Sequence, residues 1–162
     1  MVQDILLLKR RRIFKVVIES KVPHNNIGVL DHIFKITSIF VIPPRVNLSG
    51  MGFTMMEKAD AIVFITPLYW FTFPAQLKAA IDKMYSFIIR GKELNINESM
   101  LLVCGEADDE SAFDGIISTY QMMAYYQKWT DRGHLIVPGV RNKGDVLTTK
   151  YLALAEEMGR NI

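Results

Sequence analysis

Apolar positions in this chain form short unbroken runs that alternate with stretches of helical periodicity. The clearest run is AIVFI, at 61–65, and Thr66-Pro67 ends it. An unbroken apolar run of this length predicts a strand that is buried on both faces of a sheet. The next apolar residues recur at helical spacing, at Leu77, Ala80, Ile81 and Met84. They predict a helix, with Pro74 at its first position, where a missing N–H costs nothing.

The same alternation continues to the end of the chain. MLLVC at 100–104 and HLIV at 134–137 predict two more strands, the second preceded by a turn over 131–133. Between them a helix is expected after Ser111, which can form a capping box with Asp114. A closing helix is expected from Thr148 to Met158, ended by Gly159.

The order of elements predicts the fold class. From a helix end at 53–58 onward the chain reads α, β, α, β, α, β, α, which is typical of a doubly wound α/β protein with a parallel sheet between two helix layers. Residues 1–50 are harder to interpret: IFKVVI at 13–18 and IFVI at 39–42 predict strands, and a short helix is expected from Gly28. The length of 162 residues predicts one domain spanning the whole chain.

Composition and charge narrow the function classes. The chain has no apolar run of membrane-spanning length, so a globular protein away from the membrane is expected. Its one cysteine excludes a disulfide framework and favours the cytoplasm, and the opening MVQDILLLKRRR lacks the order of a secretory signal. Residues 1–50 carry eight Lys/Arg and three Asp/Glu, but the basic cluster at 9–12 is expected to be a solvated end, not a nucleic-acid site.

The familiar catalytic motifs are missing from the sequence. It contains no Gly-rich nucleotide fingerprint and no His-Glu-x-x-His metal motif, and its histidines at 24, 32 and 134 are scattered. Cys104 is either a reactive thiol or a small buried hydrophobe, and the second interpretation is favoured. The acidic loop at 108–110 either binds a cation or is a solvated lead-in to a helix.

The strongest signal for a site is the aromatic loop after the first apolar run. Tyr69, Trp70 and Phe71 follow the carboxyl end of that strand, where open α/β sheets bind ligands. They either close the core or make a contact between subunits, or they stack on a flat ring such as an isoalloxazine. In the last case a second loop, at 104–106, is expected to border the other side of the ring.

The residues around this loop resemble a known family. TPLYWFTFPAQLKAAIDK at 66–83 is similar to a long conserved segment of the flavodoxin-like NAD(P)H-dependent FMN reductases, and the similarity extends over roughly residues 53–162. The resemblance implies a flavodoxin-like fold, bound FMN, NAD(P)H as co-substrate, a small-molecule or protein electron acceptor, and a homodimer. By the same resemblance the flavin-binding residues are Pro67, Leu68, Tyr69, Trp70, Phe71, Cys104, Gly105 and Glu106.

The first third of the chain lacks a sequence motif that members of that family share. Its members hold the FMN phosphate with a Gly-Ser-Pro-Arg loop after the first strand, and residues 1–50 have no such motif. Two alternatives for the function therefore stay open beside the reductase. One is a flavodoxin-like electron carrier, and the other is a non-catalytic remnant that has lost FMN.

One hypothesis for this departure is a change of reading frame. Codons for Met-Val-Gln-Asp, at 1–4, read with the frame set back by one base, encode Asn/Asp/His/Tyr, Gly, Ser/Pro/Thr/Ala and Arg/Gly. That series resembles the start of the family's Asn-Gly-Ser-Pro-Arg loop. The alternative is a diverged N-terminus with its own first strand at 13–18, and the gene sequence distinguishes the two.

Overall fold

A five-stranded parallel sheet organises the part of the chain that this computed structural model describes, residues 13–18, 39–42, 56–142 and 144–162. The strands are β1 (Ile13–Ile18), β2 (Ile39–Ile42), β3 (Ala61–Pro67), β4 (Glu98–Cys104) and β5 (Thr130–Val137). The helices are α1 (Ala75–Ile89), α2 (Asp114–Gln127) and α3 (Tyr151–Arg160). Short 3-10 turns precede α2, at Glu110–Phe113, and α3, at Asp145–Thr148.

The strand order is β2-β1-β3-β4-β5, with every neighbouring pair parallel. This is the flavodoxin-like order, so the predicted fold class is confirmed. The two strands predicted in the first third are also confirmed, and β1 lies between β2 and β3. The helix expected from Gly28 and the first half of the helix end expected at 53–58 fall outside the described residues.

Alternate residues of the central strands face two separate cores. Ile62 and Phe64 of β3 contact one cluster of buried side chains, and Val63 and Ile65 belong to another. β4 alternates in the same way. Helices α1 and α2 cover the first cluster, with Leu77 among its fully buried members, and α3 covers the second. Both faces of the central strands are therefore buried, as their unbroken apolar sequence predicts.

The prediction of a turn at 131–133 is wrong. These residues belong to β5, which begins at Thr130 and pairs with β4 through a bulge. Ser99 opposes Asp131 and Leu101 opposes His134, so Met100 alone faces two residues of β5. Gly133 has a φ of +98°, which allows the extra residue without a steric cost.

The helix starts also differ from the predictions. Ser111 does not cap α2: Asp109 accepts the Ser111 N–H at 2.9 Å and begins the 3-10 turn that leads into the helix. Helix α1 begins at Ala75, one residue after Pro74. The closing helix is shorter at its start than predicted, because the 3-10 turn occupies 145–148, and it continues through Gly159 to Arg160.

A buried polar network joins α2 to the two strands beside it. The Tyr120 hydroxyl donates to Asp131 Oδ1 at 2.6 Å and lies 3.0 Å from the Ser99 hydroxyl. Ser99 and Tyr120 are both fully buried. Burial is the main cause that raises the pKa of Tyr120 far above its usual value, and the Asp131 carboxylate adds to it. Asp131 also accepts the Gly133 N–H at 2.8 Å, so the network holds the β5 bulge in place.

We expect Tyr120→Phe to lower the free energy of unfolding by about 1–2 kcal/mol, because it leaves the buried Ser99 hydroxyl without this hydrogen bond. Urea unfolding followed by circular dichroism measures the change. Tyr125→Phe is the matched control, since Tyr125 is on the same helix and 89% exposed. Equal stability of the two variants would contradict a role for the Tyr120 hydroxyl.

Candidate functional site

Backbone hydrogen bonds join three loops at the carboxyl edge of the sheet. The Leu68 N–H, after β3, donates to the Cys104 carbonyl at 2.7 Å. The Gly105 N–H, after β4, donates to the Val137 carbonyl at 3.0 Å, and the Val140 N–H donates back to the Gly105 carbonyl at 2.8 Å. The two predicted loops, at 67–71 and 104–106, are therefore direct neighbours on one rim.

The aromatic loop is a tight turn, which we call the aromatic turn, at 69–72. Tyr69 and Thr72 close it with two backbone hydrogen bonds, of 3.1 and 3.0 Å, in an antiparallel bridge. The central residues are left-handed, with φ of +49° at Trp70 and +65° at Phe71. Positive φ at both central positions is the signature of a type I′ turn, which usually contains Asn and Gly. Two aromatic residues in this conformation are strained, and strain of this kind clusters at ligand sites.

The aromatic turn presents its side chains to solvent. Trp70 is 90% exposed and Phe71 is 58% exposed, and their ring centroids lie 6.0 Å apart. Tyr69 is exposed to a smaller degree, whereas Phe73 is buried against Phe64. Core packing therefore accounts for Phe73 but not for the large rings of the turn.

Two glycines of the β4–α2 segment lie against this loop. A Cβ on Gly105 would lie 3.1 Å from Leu68 Cβ and 3.0 Å from the Phe113 ring. A Cβ on Gly115, in the first turn of α2, would lie 2.7 Å from the Phe71 carbonyl oxygen. Gly115 is absent from the sequence-predicted site, because a glycine within a helix gives no signal of a close contact elsewhere.

Cys104 contributes its backbone to the rim and its side chain to the core. The side chain is 3% exposed and belongs to the cluster under α3. Burial raises the pKa of the thiol to about 12, although a backbone hydrogen bond partly opposes this effect. The favoured interpretation of Cys104 as a buried hydrophobe is confirmed, and a thiolate is absent near neutral pH. Gly105 is also buried, and Glu106 is exposed.

The acidic loop beside the rim is engaged in local contacts. Asp108 forms an exposed ion pair with Arg141 at 2.5 Å, and that pairing raises the pKa of Arg141. Hydrogen bonding to Ser111 lowers the pKa of Asp109. Asp145 accepts the backbone N–H groups of Arg141 and Asn142. Within the described ranges no three His, Cys, Asp or Glu side chains form a group that could hold a metal ion.

The arrangement suits the ring of a flavin. The aromatic turn offers a flat apolar wall, and no backbone hydrogen bond among the described residues occupies the N–H groups of Trp70 and Phe71. A flavin ring needs apolar walls and donors at its polar edge. Doubly wound sheets of this strand order bind their ligands at the switch point between β1 and β3, and the aromatic turn follows β3 at that point. Residues 19–38, which follow β1, lie outside the described part.

A second surface lies between the first two helices. A groove of about 610 Å³ runs between α1 and α2, with Trp129 in its lining. We call it the α1–α2 groove. Its largest exposed side chains are Tyr85, Met122 and Tyr126. None of the helices in the described residues is long and apolar enough to cross a membrane.

Comparison with solved structures shows the same fold in several proteins. An NADPH-quinone reductase from P. pentosaceus has a TM-score of 0.70 and 15% identity, covering 93% of this chain and 99% of its own. The NAD(P)H:quinone oxidoreductase from Methanothermobacter marburgensis has a TM-score of 0.64 and 17% identity, covering 93% and 96%. General stress protein 14 from Treponema denticola, in complex with FMN, has a TM-score of 0.62 and 14% identity, covering 93% and 94%.

Comparison with known protein families assigns this chain to one of them. No curated protein matches the chain. The Flavodoxin-like fold family matches residues 52–152, which include β3, β4, β5 and the aromatic turn between them. Since the match spans more than half of the chain and the strand order agrees with it, this protein belongs to the Flavodoxin-like fold family.

Proposed function

We propose that this protein is an FMN-dependent oxidoreductase that passes electrons from NAD(P)H through the flavin to a small-molecule or protein acceptor. The observation that carries the proposal is the exposed, strained aromatic turn at the β1/β3 switch point. Neighbours of the same fold support it, since two of them are quinone reductases and one is a complex with FMN. A quinone is accordingly the first acceptor to test.

The chain's part in this reaction is to bind and orient the cofactor. Pro67 to Phe71 would hold one side of the ring, and the N–H groups of Trp70 and Phe71 would donate to its polar edge. Cys104 to Glu106 would border the other side through their backbone. When bound, the flavin supplies the redox chemistry, accepting a hydride from the nicotinamide and reducing the acceptor. The buried Cys104 thiol, with its raised pKa, has no proton-transfer role near neutral pH. The proposed compartment is the cytoplasm.

A second candidate function is a non-catalytic remnant that no longer binds FMN. The observation that favours it is the absence of a Gly-Ser-Pro-Arg phosphate loop from residues 1–50. A phosphate that loses its donors and the nearby helix N-terminus loses a large part of its binding free energy. In that case the aromatic turn would be a surface for a partner protein.

An absorption spectrum of the purified protein tests the proposal. We expect flavin bands to remain after the protein is mixed with excess FMN and desalted, and NADPH to bleach them. Retained bands that NADPH does not bleach would indicate an electron carrier that uses another donor. A colourless protein after reconstitution would contradict the proposal and favour the remnant.

We expect Trp70→Ala to weaken FMN binding about three- to tenfold, because the variant loses the aromatic face on which the ring would stack. A fluorescence titration with FMN measures the dissociation constant. Tyr125→Ala is the matched control: Tyr125 is exposed and lies ten residues beyond Gly115, about 15 Å further along α2. An unchanged dissociation constant in Trp70→Ala would remove Trp70 from the site.

We also propose that the protein is a homodimer that pairs through the α1–α2 groove. Large apolar side chains are exposed there, and contiguous patches of this kind mark contacts between proteins. The groove also carries Lys78 and Asp82, which are of opposite charge and form an ion pair with each other along α1 at 2.5 Å. A surface that pairs with itself about a two-fold axis must be complementary to itself, and a patch with both charges meets this condition.

We expect light scattering to give twice the chain mass of 18.5 kDa for the natural protein and the monomer mass for Tyr126→Glu. The introduced carboxylate would be buried without a partner in the interface, which is costly. Gln121→Glu adds the same charge to α2 outside the groove and should remain dimeric. A natural protein of monomer mass, or a Tyr126→Glu variant that stays dimeric, would contradict this interface.

A further inference from the structure

The first turn of α2 lies directly against the backbone of the aromatic turn. A Cβ on Gly115 would lie 2.7 Å from the Phe71 carbonyl oxygen. Real Cβ atoms essentially never come within 3.0 Å of such an atom. The obstacle is a backbone atom, so it cannot rotate away as the end of a flexible side chain can. Any side chain at position 115 must therefore move either α2 or the aromatic turn.

The aromatic turn has little freedom to move without changing shape. Its ends are joined by the two hydrogen bonds between Tyr69 and Thr72, and Trp70 and Phe71 already have left-handed φ angles. Leu68, just before the turn, donates its N–H to the Cys104 carbonyl, and its Cβ lies so near Gly105 that a Cβ added there would be 3.1 Å away. A displacement of the Phe71 carbonyl would thus be transmitted to the exposed rings beside it.

Helix α2 has no local need for glycine at position 115. Gly115 has no positive φ, so alanine fits its backbone conformation. Glycine is less favourable than alanine inside a helix, and by propensity alone the substitution should stabilise α2. The close approach of Phe71 is the feature of the structure that requires glycine here.

We infer that Gly115 is a positioning residue: its missing side chain lets α2 fix the aromatic turn and so sets the wall of the ring site. A structural role limited to helix α2 predicts that alanine is neutral or stabilising. The positioning role predicts local damage at the aromatic turn. The part of this inference that concerns the flavin rests on the proposed function, whereas the part that concerns the turn does not.

The experiment compares Gly115→Ala with the natural protein, first without flavin. Amide hydrogen exchange by NMR reports the two hydrogen bonds that close the turn, through the N–H groups of Tyr69 and Thr72. The indole N–H signal of Trp70 reports the environment of the exposed ring. The control is Ser118→Ala, an exposed position three residues further along α2 where alanine also raises helix propensity.

We expect the Tyr69 and Thr72 amides to exchange about tenfold faster in Gly115→Ala, because a forced contact of this kind weakens the packing that holds the turn. The Trp70 indole signal should shift, the amides of β3 and β4 should keep their protection, and Ser118→Ala should resemble the natural protein. Unchanged exchange at Tyr69 and Thr72 with an unshifted indole signal would overturn the inference.

Flavin binding is measured next on the same proteins. We expect FMN to dissociate about tenfold faster from Gly115→Ala than from the natural protein or Ser118→Ala. If the natural protein binds no FMN, the proposed function fails, and the exchange data still decide whether Gly115 positions the turn. If FMN dissociates at the same rate from a variant whose turn is altered, the turn does not set the ring site.

A variant that loses protection throughout the sheet calls for a second comparison. Phe71→Gly added to Gly115→Ala gives the turn the backbone freedom to move away from α2. The positioning role predicts that protection of β3 and β4 returns in the double variant. Persistent loss throughout the sheet would show that Gly115 serves the whole fold, and it would overturn the inference.

Discussion

The parallel pairing of β3 with β4 is the constraint on which the rest of this structure depends. Nearly all residues of both strands are buried, so helices must cover both faces, and α1, α2 and α3 do so. Parallel neighbours also require a crossover, and this brings the carboxyl ends of both strands to one edge. The hydrogen bond from Leu68 to Cys104 continues that pairing into the loops. The candidate site is therefore an extension of the sheet, and its position follows from the topology.

The central strands β3 and β4 were predictable from the sequence because burial on both faces leaves an unbroken apolar run. The errors lie where a tertiary contact overrides a local preference. Asp131 to Gly133 has the composition of a turn, but the Tyr120 hydroxyl and the Gly133 N–H both bind Asp131 and hold the segment in β5. Asp109 and Ser111 can each cap a helix. In the structure Asp109 is the cap, and it caps the 3-10 turn that precedes α2. The sequence contains both candidates without the contact that decides between them.

The position of the candidate site was predictable from the sequence, but its geometry and the close approach of Gly115 were not. The aromatic loop follows the carboxyl end of a buried strand, and this position alone identified it. The left-handed φ angles of Trp70 and Phe71 have no sequence signal, since turns of this type usually contain Asn and Gly. They are held by the Tyr69–Thr72 bridge and by the approach of Gly115, which are contacts of the folded chain. That these residues bind a flavin remains a prediction.

The aromatic turn combines two unfavourable features, strain at two residues and a Trp side chain that is 90% exposed. Strain of this kind costs roughly 1–3 kcal/mol at each residue, and it persists because surrounding contacts fix the turn. A turn that is already fixed loses little further entropy when a flat ring binds to it, so affinity for the ring does not depend on ordering the loop. The phosphate of FMN, in contrast, would need donors from the segment after β1. The two parts of FMN would thus depend on separate parts of the chain. Loss of the phosphate contacts would weaken binding without removing the preference for a planar ring.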